Sequence, residues 1–204
     1  MPSEPPPFGT REFWDANALD PKEEYIEWFA GYEELAASLR CACSASATVL
    51  PAGCGISNLS QALYDDGFRH QVAVDFSEQC MIQQRSLCGA GRPEMGNAVM
   101  DCTSLGFRSS SVDVVVDKGT LDALLCIDGG DSGEEAVAQM ALEVRRVLRP
   151  GGLWVIISFN TPATVVPFVQ EAAEADRSSG SGSVTALIAC EALHSGNGII
   201  YIFT

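Results

Sequence analysis

Histidine is almost absent from this sequence, with only His70 and His194 present. There are 8 cysteines, but no C-x-x-C pair, and only Cys41 and Cys43 stand close together. Structural zinc needs clustered Cys and His ligands at short spacings, so no metal is expected. Cys102 and Cys126 sit on or beside apolar runs, where a free thiol behaves as a small hydrophobe. The reading is reduced thiols in a cytoplasmic protein. Positive charge is also scarce: 12 Lys and Arg face 27 Asp and Glu, for a net charge of −15. A field of that sign repels phosphate backbones, so nucleic acid is not an expected partner. The one cationic cluster, Arg145, Arg146 and Arg149, falls near a helix C-terminus and complements its dipole. The acidic balance suits a protein partner with a basic or lysine-bearing segment. No apolar run approaches the ~20 residues that span a bilayer. Met1 to Pro7 has neither the basic region nor the apolar region of a signal peptide. No membrane association is expected, and a monomer is.

At 204 residues and 47% hydrophobic content, the chain has the size and core of one domain. Residues 1–10 read as a flexible Pro-rich tail, and 11–204 as a single domain. Within it, 11–40 is an aromatic arm and helix. Pro21 opens that helix, and Tyr25, Trp28, Phe29, Tyr32, Leu35, Ala36 and Leu39 form one apolar face. Residues 48–159 alternate strands with helices. Strands are expected at Thr48–Leu50, Gln71–Phe76, Asn97–Met100, Val112–Asp117 and Leu153–Phe159, and a long helix over Glu134–Leu148 is ended sharply by Arg149-Pro150-Gly151-Gly152. Residues 160–204 add a helix over Ala163–Ala175 and a hairpin of Thr185–Glu191 and Gly198–Phe203 joined through His194–Asn197. The pattern predicts an α/β three-layer sandwich, with a doubly wound, mostly parallel sheet and a C-terminal antiparallel hairpin.

In such a sheet ligands bind at the strand C-termini, beside the first strand. There the chain places Gly53-Cys54-Gly55, a turn on whose backbone a ligand can lie directly. Ser57 or Asn58 caps the following helix. Asp75 ends the second strand about 20 residues on, where a carboxylate accepts ribose hydroxyls. Asp101 ends the third, placed to accept from an exocyclic amine such as that of adenine. Asp117-Lys118 ends the fourth and faces the rest of the ligand. Asp75 and Asp101 have an alternative as caps of the next helix or turn, Asp122 as a cap or ion-pair partner, and Lys118 as a solvated edge lysine. A P-loop is absent, and Asn58 stands where a dinucleotide motif has its third glycine. The set fits a nucleoside with an amino-acid tail.

Those residues, with F-W-D at 13–15, E-W-F at 27–29, V-D-F-S at 74–77, D-K-G-T-L-D-A-L at 117–124 and V-L-R-P-G-G-L-W-V-I at 147–156, resemble the class I, seven-stranded S-adenosylmethionine-dependent methyltransferases. More narrowly, the chain resembles the elongation factor 1 alpha lysine methyltransferases, over residues 11–160. The resemblance implies S-adenosylmethionine as cofactor and transfer of its methyl group to a protein lysine. It implies cofactor contacts from Trp14, Gly53, Cys54, Gly55, Asp75, Phe76, Asp101, Cys102, Asp117 and Lys118. Asp117 and Asp122 are the catalytic candidates for orienting the acceptor amine. The family's aromatic arm continues with Arg and Tyr where this chain has Asn17 and Ala18. The alternatives are a small-molecule methyltransferase and a binding protein that keeps the fold without the activity.

Overall fold

The structure, a computed structural model, describes residues 6–22, 26–88, 91–129, 131–178, 187–192 and 198–204. Seven strands form one sheet in the order β3-β2-β1-β4-β5-β7-β6. These are β1 (Val49–Ala52), β2 (Gln71–Asp75), β3 (Met95–Val99), β4 (Val112–Lys118), β5 (Leu148–Ser158), β6 (Leu187–Ala192) and β7 (Ile199–Phe203). The first five run parallel, while β7 pairs antiparallel with both β5 and β6. The chain moves outward from β1 to β3, then crosses back to β4 on the other side of β1. This reversal is a topological switch point, and it opens a crevice at the C-terminal ends of β1 and β4.

The side-chain alternation of the strands builds the two outer layers. On one face Leu50, Val115, Trp154 and Ile156 meet Val137, Met140, Ala141 and Val144 of α6 (Ser132–Val147), with Val165 and Val169 of α7 (Pro162–Ser178). On the other, Val49, Val114, Val116, Val155 and Ile157 meet Leu35, Ala36 and Leu39 of α2 (Tyr32–Ala42) and Leu59 and Leu63 of α3 (Leu59–Asp65). Each such aliphatic side chain, fully buried, contributes about 1.5–3 kcal/mol. The expected three-layer α/β sandwich with its terminal hairpin is therefore present. Helices α1 (Arg11–Leu19), α4 (Glu78–Cys88) and α5 (Thr120–Leu124) complete the set.

Four expectations need correction. The aromatic arm is itself a helix, α1, capped by Thr10, whose hydroxyl accepts from the Phe13 amide. The next helix begins at Tyr32, not Pro21. Phe29 has a left-handed backbone (φ 66°), which no helix tolerates, and the Trp28 and Phe29 rings pack against the end of β4 instead. Tyr25, assigned to that helix's face, lies outside the described residues. Arg149-Pro150-Gly151-Gly152 follows the end of α6 at Val147, as a helix stop should, but it lies inside β5, which starts at Leu148 rather than Leu153, and the register with β4 shifts between Val112 and Val114. Residues 6–10, read as tail, are tied down: the Thr10 amide donates to the Pro7 carbonyl (3.0 Å) and Phe8 packs among aromatic rings. The joining segment His194–Asn197 and residues 1–5 lie outside the described residues. Among the described residues no helix is long and apolar enough to cross a membrane.

Candidate functional site

A cavity of about 250 Å³ opens at the ends of β1, β2 and β4. Its floor is the turn after β1. Gly53 and Gly55 both have left-handed backbones (φ 62° and 52°). At Gly53 the requirement is double, because a Cβ would lie 2.0 Å from the Thr120 hydroxyl oxygen. That hydroxyl donates to the Ala52 carbonyl (2.8 Å), so the end of β1 and the start of α5 are clasped. At Gly55 a Cβ would meet no atom within 4 Å, and the backbone there is open for a ligand.

Asp75 is both cap and cavity wall. One carboxylate oxygen accepts from the Gly55 amide (2.8 Å), the other from the Ser77 amide (2.9 Å) at the start of α4. Burial pushes its pKa up to about 6, and the two amides oppose that rise. A carboxylate has about four lone-pair sites, so acceptor capacity remains toward the cavity. Phe76 lies next to it in the wall, with the Arg11 guanidinium 5.3 Å above its ring. Asp101 accepts from the Thr103 amide (2.8 Å) and hydroxyl (2.7 Å), and its exposed carboxylate lines the cavity beside Cys102. Cys54 also lines it, but its sulfur turns to Met81 (3.7 Å) and burial holds its pKa high. It acts as packing, not as a nucleophile.

The cover comes from the N-terminus. Phe8, Gly9 and Trp14 line the cavity, and the Trp14 indole donates to the Phe8 carbonyl (2.7 Å). Phe8, Phe13, Trp14 and Trp28 form one aromatic cluster with centroids 5.0–6.1 Å apart. A Cβ on Gly9 would meet the Ile127 backbone at 2.6 Å, so this segment lies directly on the loop after α5.

Lys118 lines the cavity and is no solvated edge lysine. Its side chain is 5% exposed, paired with the Glu27 carboxylate and donating to the Trp28 carbonyl (3.0 Å). Glu27 also accepts from the Ser57 hydroxyl (2.9 and 3.0 Å) and the Asn58 amide (3.3 Å). It thus ties the segment before α2 to both the glycine turn and β4. The E-W-F motif is the local signal for Glu27, although the spacing of residues alone assigns it no role. Phe8, Gly9 and Ile127 carry no sequence signal at all.

Asp117 and Asp122, expected as catalytic groups, do not line the cavity. Asp117 is fully buried and accepts from the Thr120 (2.8 Å) and Leu121 (3.3 Å) amides, capping α5. Burial, then the nearby Asp122, pushes its pKa up to about 7. One oxygen of Asp122 accepts from the Ser158 hydroxyl, the Phe159 amide and the Asn160 amide side chain at 2.9–3.0 Å. It fixes the end of β5. The cofactor contact expected of Asp117 falls with its position, since the cap turns that carboxylate away from the cavity. Asn17 is buried and accepts from the Lys22 amide (3.4 Å), so no cation stands there. Among the described residues no group of three or more His, Cys, Asp or Glu is placed to hold a metal.

A methyltransferase-domain family model matches residues 50–156. The human eEF1A lysine and N-terminal methyltransferase is 37% identical over 158 residues, which are 78% of this chain and 22% of that protein. The mouse EEF1A lysine methyltransferase 4 is 32% identical over 157 residues, 74% of this chain and 61% of that protein. The chain thus spans about a fifth of the human relative's length. A SAM-dependent methyltransferase structure from Aquifex aeolicus matches with a TM-score of 0.65 at 11% identity, over 93% of this chain and 96% of that one. Haemonchus contortus phosphoethanolamine N-methyltransferase 1, solved with phosphoethanolamine and S-adenosylhomocysteine, gives 0.60 at 20% identity, over 80% of this chain and 34% of that one. These two likenesses show the fold. The chain belongs to the S-adenosylmethionine-dependent methyltransferases, and S-adenosylmethionine is its cofactor.

Proposed function

We propose that this chain methylates an amine, and that its acceptor is a lysine of a protein substrate. The observation that carries the reading is the cavity itself. An open glycine turn, a carboxylate at the end of β2 and another after β3 stand in the order a nucleoside with a methionine tail requires. The names of the 37% and 32% identical relatives supply the lysine acceptor. The net charge of −15 suits a cationic substrate segment.

S-adenosylmethionine, when bound, supplies a methyl group already activated on a sulfonium. The protein therefore aligns donor and acceptor and excludes water, which is where the rate gain arises. Gly53 and Gly55 leave backbone exposed along the ligand. Asp75 accepts ribose hydroxyls, Phe76 flanks the base, and Asp101 with Cys102 borders its exocyclic edge. Trp14 and Phe8 cover the cavity from solvent. Cytoplasmic location, a monomeric state and independence of nucleic acid belong to the same proposal.

Calorimetry with S-adenosylhomocysteine and tritiated-donor labelling of a cell lysate test it. Binding together with label in a protein band, located on lysine by mass spectrometry, is the expected result. Label in metabolites alone points to a small-molecule acceptor. Cofactor binding with no label anywhere points to a binding protein without the activity, a reading that Asn17 favours because no cation replaces the family's arginine there.

A further inference from the structure

Phe159 stands in the open, 61% exposed, just past the end of β5. A lone exposed apolar side chain is ordinary, but this one is held in place. Its amide donates to the Asp122 carboxylate (3.0 Å), which also accepts from the Ser158 hydroxyl (3.0 Å) and the Asn160 side chain (2.9 Å). The Asn160 amide donates to the Ser158 hydroxyl oxygen (2.9 Å), and the Tyr201 hydroxyl donates to the Asn160 carbonyl (2.6 Å). Both neighbours of Phe159 are thus fixed, by a carboxylate from α5 and a hydroxyl from β7. Burying a carboxylate is costly, and what this one secures is a turn that presents a large apolar ring to solvent.

Behind that ring lies Phe29. The two centroids are 4.1 Å apart and the planes are tilted by 40°. Phe29 packs on Gly119, and so does Trp28, whose ring is 6.1 Å from that of Phe29. Gly119 and Trp28 line the cavity. An aromatic ridge therefore leads from the cavity wall out to Phe159. The strands agree with that placement, since Lys118 at the end of β4 is in register with Ile157, two residues before Phe159.

The segments that build the ridge and the neighbouring rim carry one sign of charge. Residues 26–34, 119–135 and 158–170 contain no Lys or Arg. Glu33, Asp128, Asp131, Glu134 and Glu135 are exposed within them. The adjoining cation, Lys118, is 5% exposed and paired with Glu27. A second copy of this chain would bring another net charge of −15 to the same surface, and nucleic acid is repelled likewise. A basic protein segment is complementary in charge. Its lysines are complementary in shape, because a four-carbon stem lies along aromatic rings while the amine reaches beyond them.

Resting on the lysine-acceptor reading above, we propose that Phe159, backed by Phe29, is the anchor on which the lysine-bearing segment of the protein substrate docks. The ridge then leads the acceptor side chain past Trp28 and Gly119 into the cavity.

The tritiated-donor assay tests it, run as a titration with lysate protein, followed in the labelled band, and paired with S-adenosylhomocysteine calorimetry. In Phe159→Ser the lysate concentration for half-maximal label is expected to rise about fivefold or more, as loss of an aromatic anchor implies. The maximal rate and the affinity for S-adenosylhomocysteine are expected to stay within about twofold, because the contact lies outside the cofactor cavity. Phe159→Tyr, which keeps the ring, is expected to restore the half-maximal concentration. An unchanged half-maximal concentration in Phe159→Ser overturns the proposal. So does a matching loss of S-adenosylhomocysteine affinity, which would put Phe159 in the cofactor wall. Light scattering covers the other occupant: a dimer of the unaltered chain that Phe159→Ser dissolves makes the ridge a contact between copies and overturns the proposal. Where Phe159→Ser does not fold, Glu33→Lys decides. A raised half-maximal concentration at unchanged cofactor affinity sustains the proposal, and an unchanged one overturns it. Cofactor binding with no label in protein from the unaltered chain overturns the lysine-acceptor reading and the docking surface with it. Label in protein that does not respond to Phe159→Ser overturns the docking surface alone.

Discussion

The Asp75 carboxylate and the Gly55 amide are hydrogen-bonded at 2.8 Å. Through that contact the end of β2 holds the turn that follows β1, and the ligand floor depends on a side chain from the neighbouring strand. The same carboxylate receives the Ser77 amide, so it also sets where α4 begins. Structure and site share one residue here.

Asp75→Ala is therefore expected to have two effects. It leaves two backbone amides without their acceptor, at a cost of about 1–3 kcal/mol for each that stays buried. It also removes the acceptor for the ribose. The melting temperature should fall, and affinity for S-adenosylhomocysteine should fall by about tenfold or more. A variant with normal cofactor affinity and a lowered melting point would confine Asp75 to capping.

Burial raises the pKa values of Asp75 and Asp117, to about 6 and about 7. In the unfolded chain both return to the ordinary value near 3.8. Between those limits the folded state binds more protons, so stability declines as pH rises. The contribution is fully present below the unfolded value and lost as pH passes through the folded one. Melting temperature should therefore fall between about pH 4 and pH 7. Asp117→Asn keeps a carbonyl for the Thr120 amide and has no such titration. Its advantage over the unaltered protein should grow across that range, and a constant difference would remove Asp117 as the cause.

Much of this was legible from the sequence because it rests on local rules. The central strands β4 and β5 carry runs of Val and Ile, and their alternation set both faces of the sheet. Gly53, Asp75, Asp101 and Lys118 sit at strand ends, where topology alone predicts a ligand. The failures have a common physical origin in contacts distant along the chain. Trp28 and Phe29 carry helical spacing, yet they pack on Gly119, where a Cβ would come within 2.9 Å of the Phe29 ring. Phe8 and Gly9 read as tail because nothing local marks a segment that folds over Ile127. Asp117 and Asp122 stand at the right strand and helix ends, but direction decides their role. Backbone amides at one and the end of β5 at the other draw them away from the cavity.

Gly53→Ala and Gly55→Ala separate folding from binding. Both residues lie at positive φ, where a Cβ costs roughly 1–2 kcal/mol. Only Gly53 also meets Thr120, whose hydroxyl would have to leave the Ala52 carbonyl. Gly53→Ala should have the lower melting point, and Gly55→Ala should remain folded with weakened S-adenosylhomocysteine binding. The reverse order in thermal denaturation would contradict the clasp between β1 and α5.

Trp14→Phe keeps an aromatic ring in the cluster but removes the donor to the Phe8 carbonyl. The loss of one such bond is worth about 0.5–1.5 kcal/mol, enough to multiply the open population of a short segment several-fold. Hydrogen exchange at Phe8 to Phe13 should quicken by that factor, while amides of β4 and β5 keep their protection. Since Phe8 and Gly9 line the cavity, S-adenosylhomocysteine should slow exchange in the same segment of the unaltered protein. If the ligand binds and these amides do not respond, the segment is fixed structure rather than a cover. The variant then separates the two contributions: slower cofactor release from a covered site becomes faster release in Trp14→Phe, with the association rate less affected. Stopped-flow measurement of both rates checks this, and unchanged dissociation would remove the N-terminal segment from the binding step.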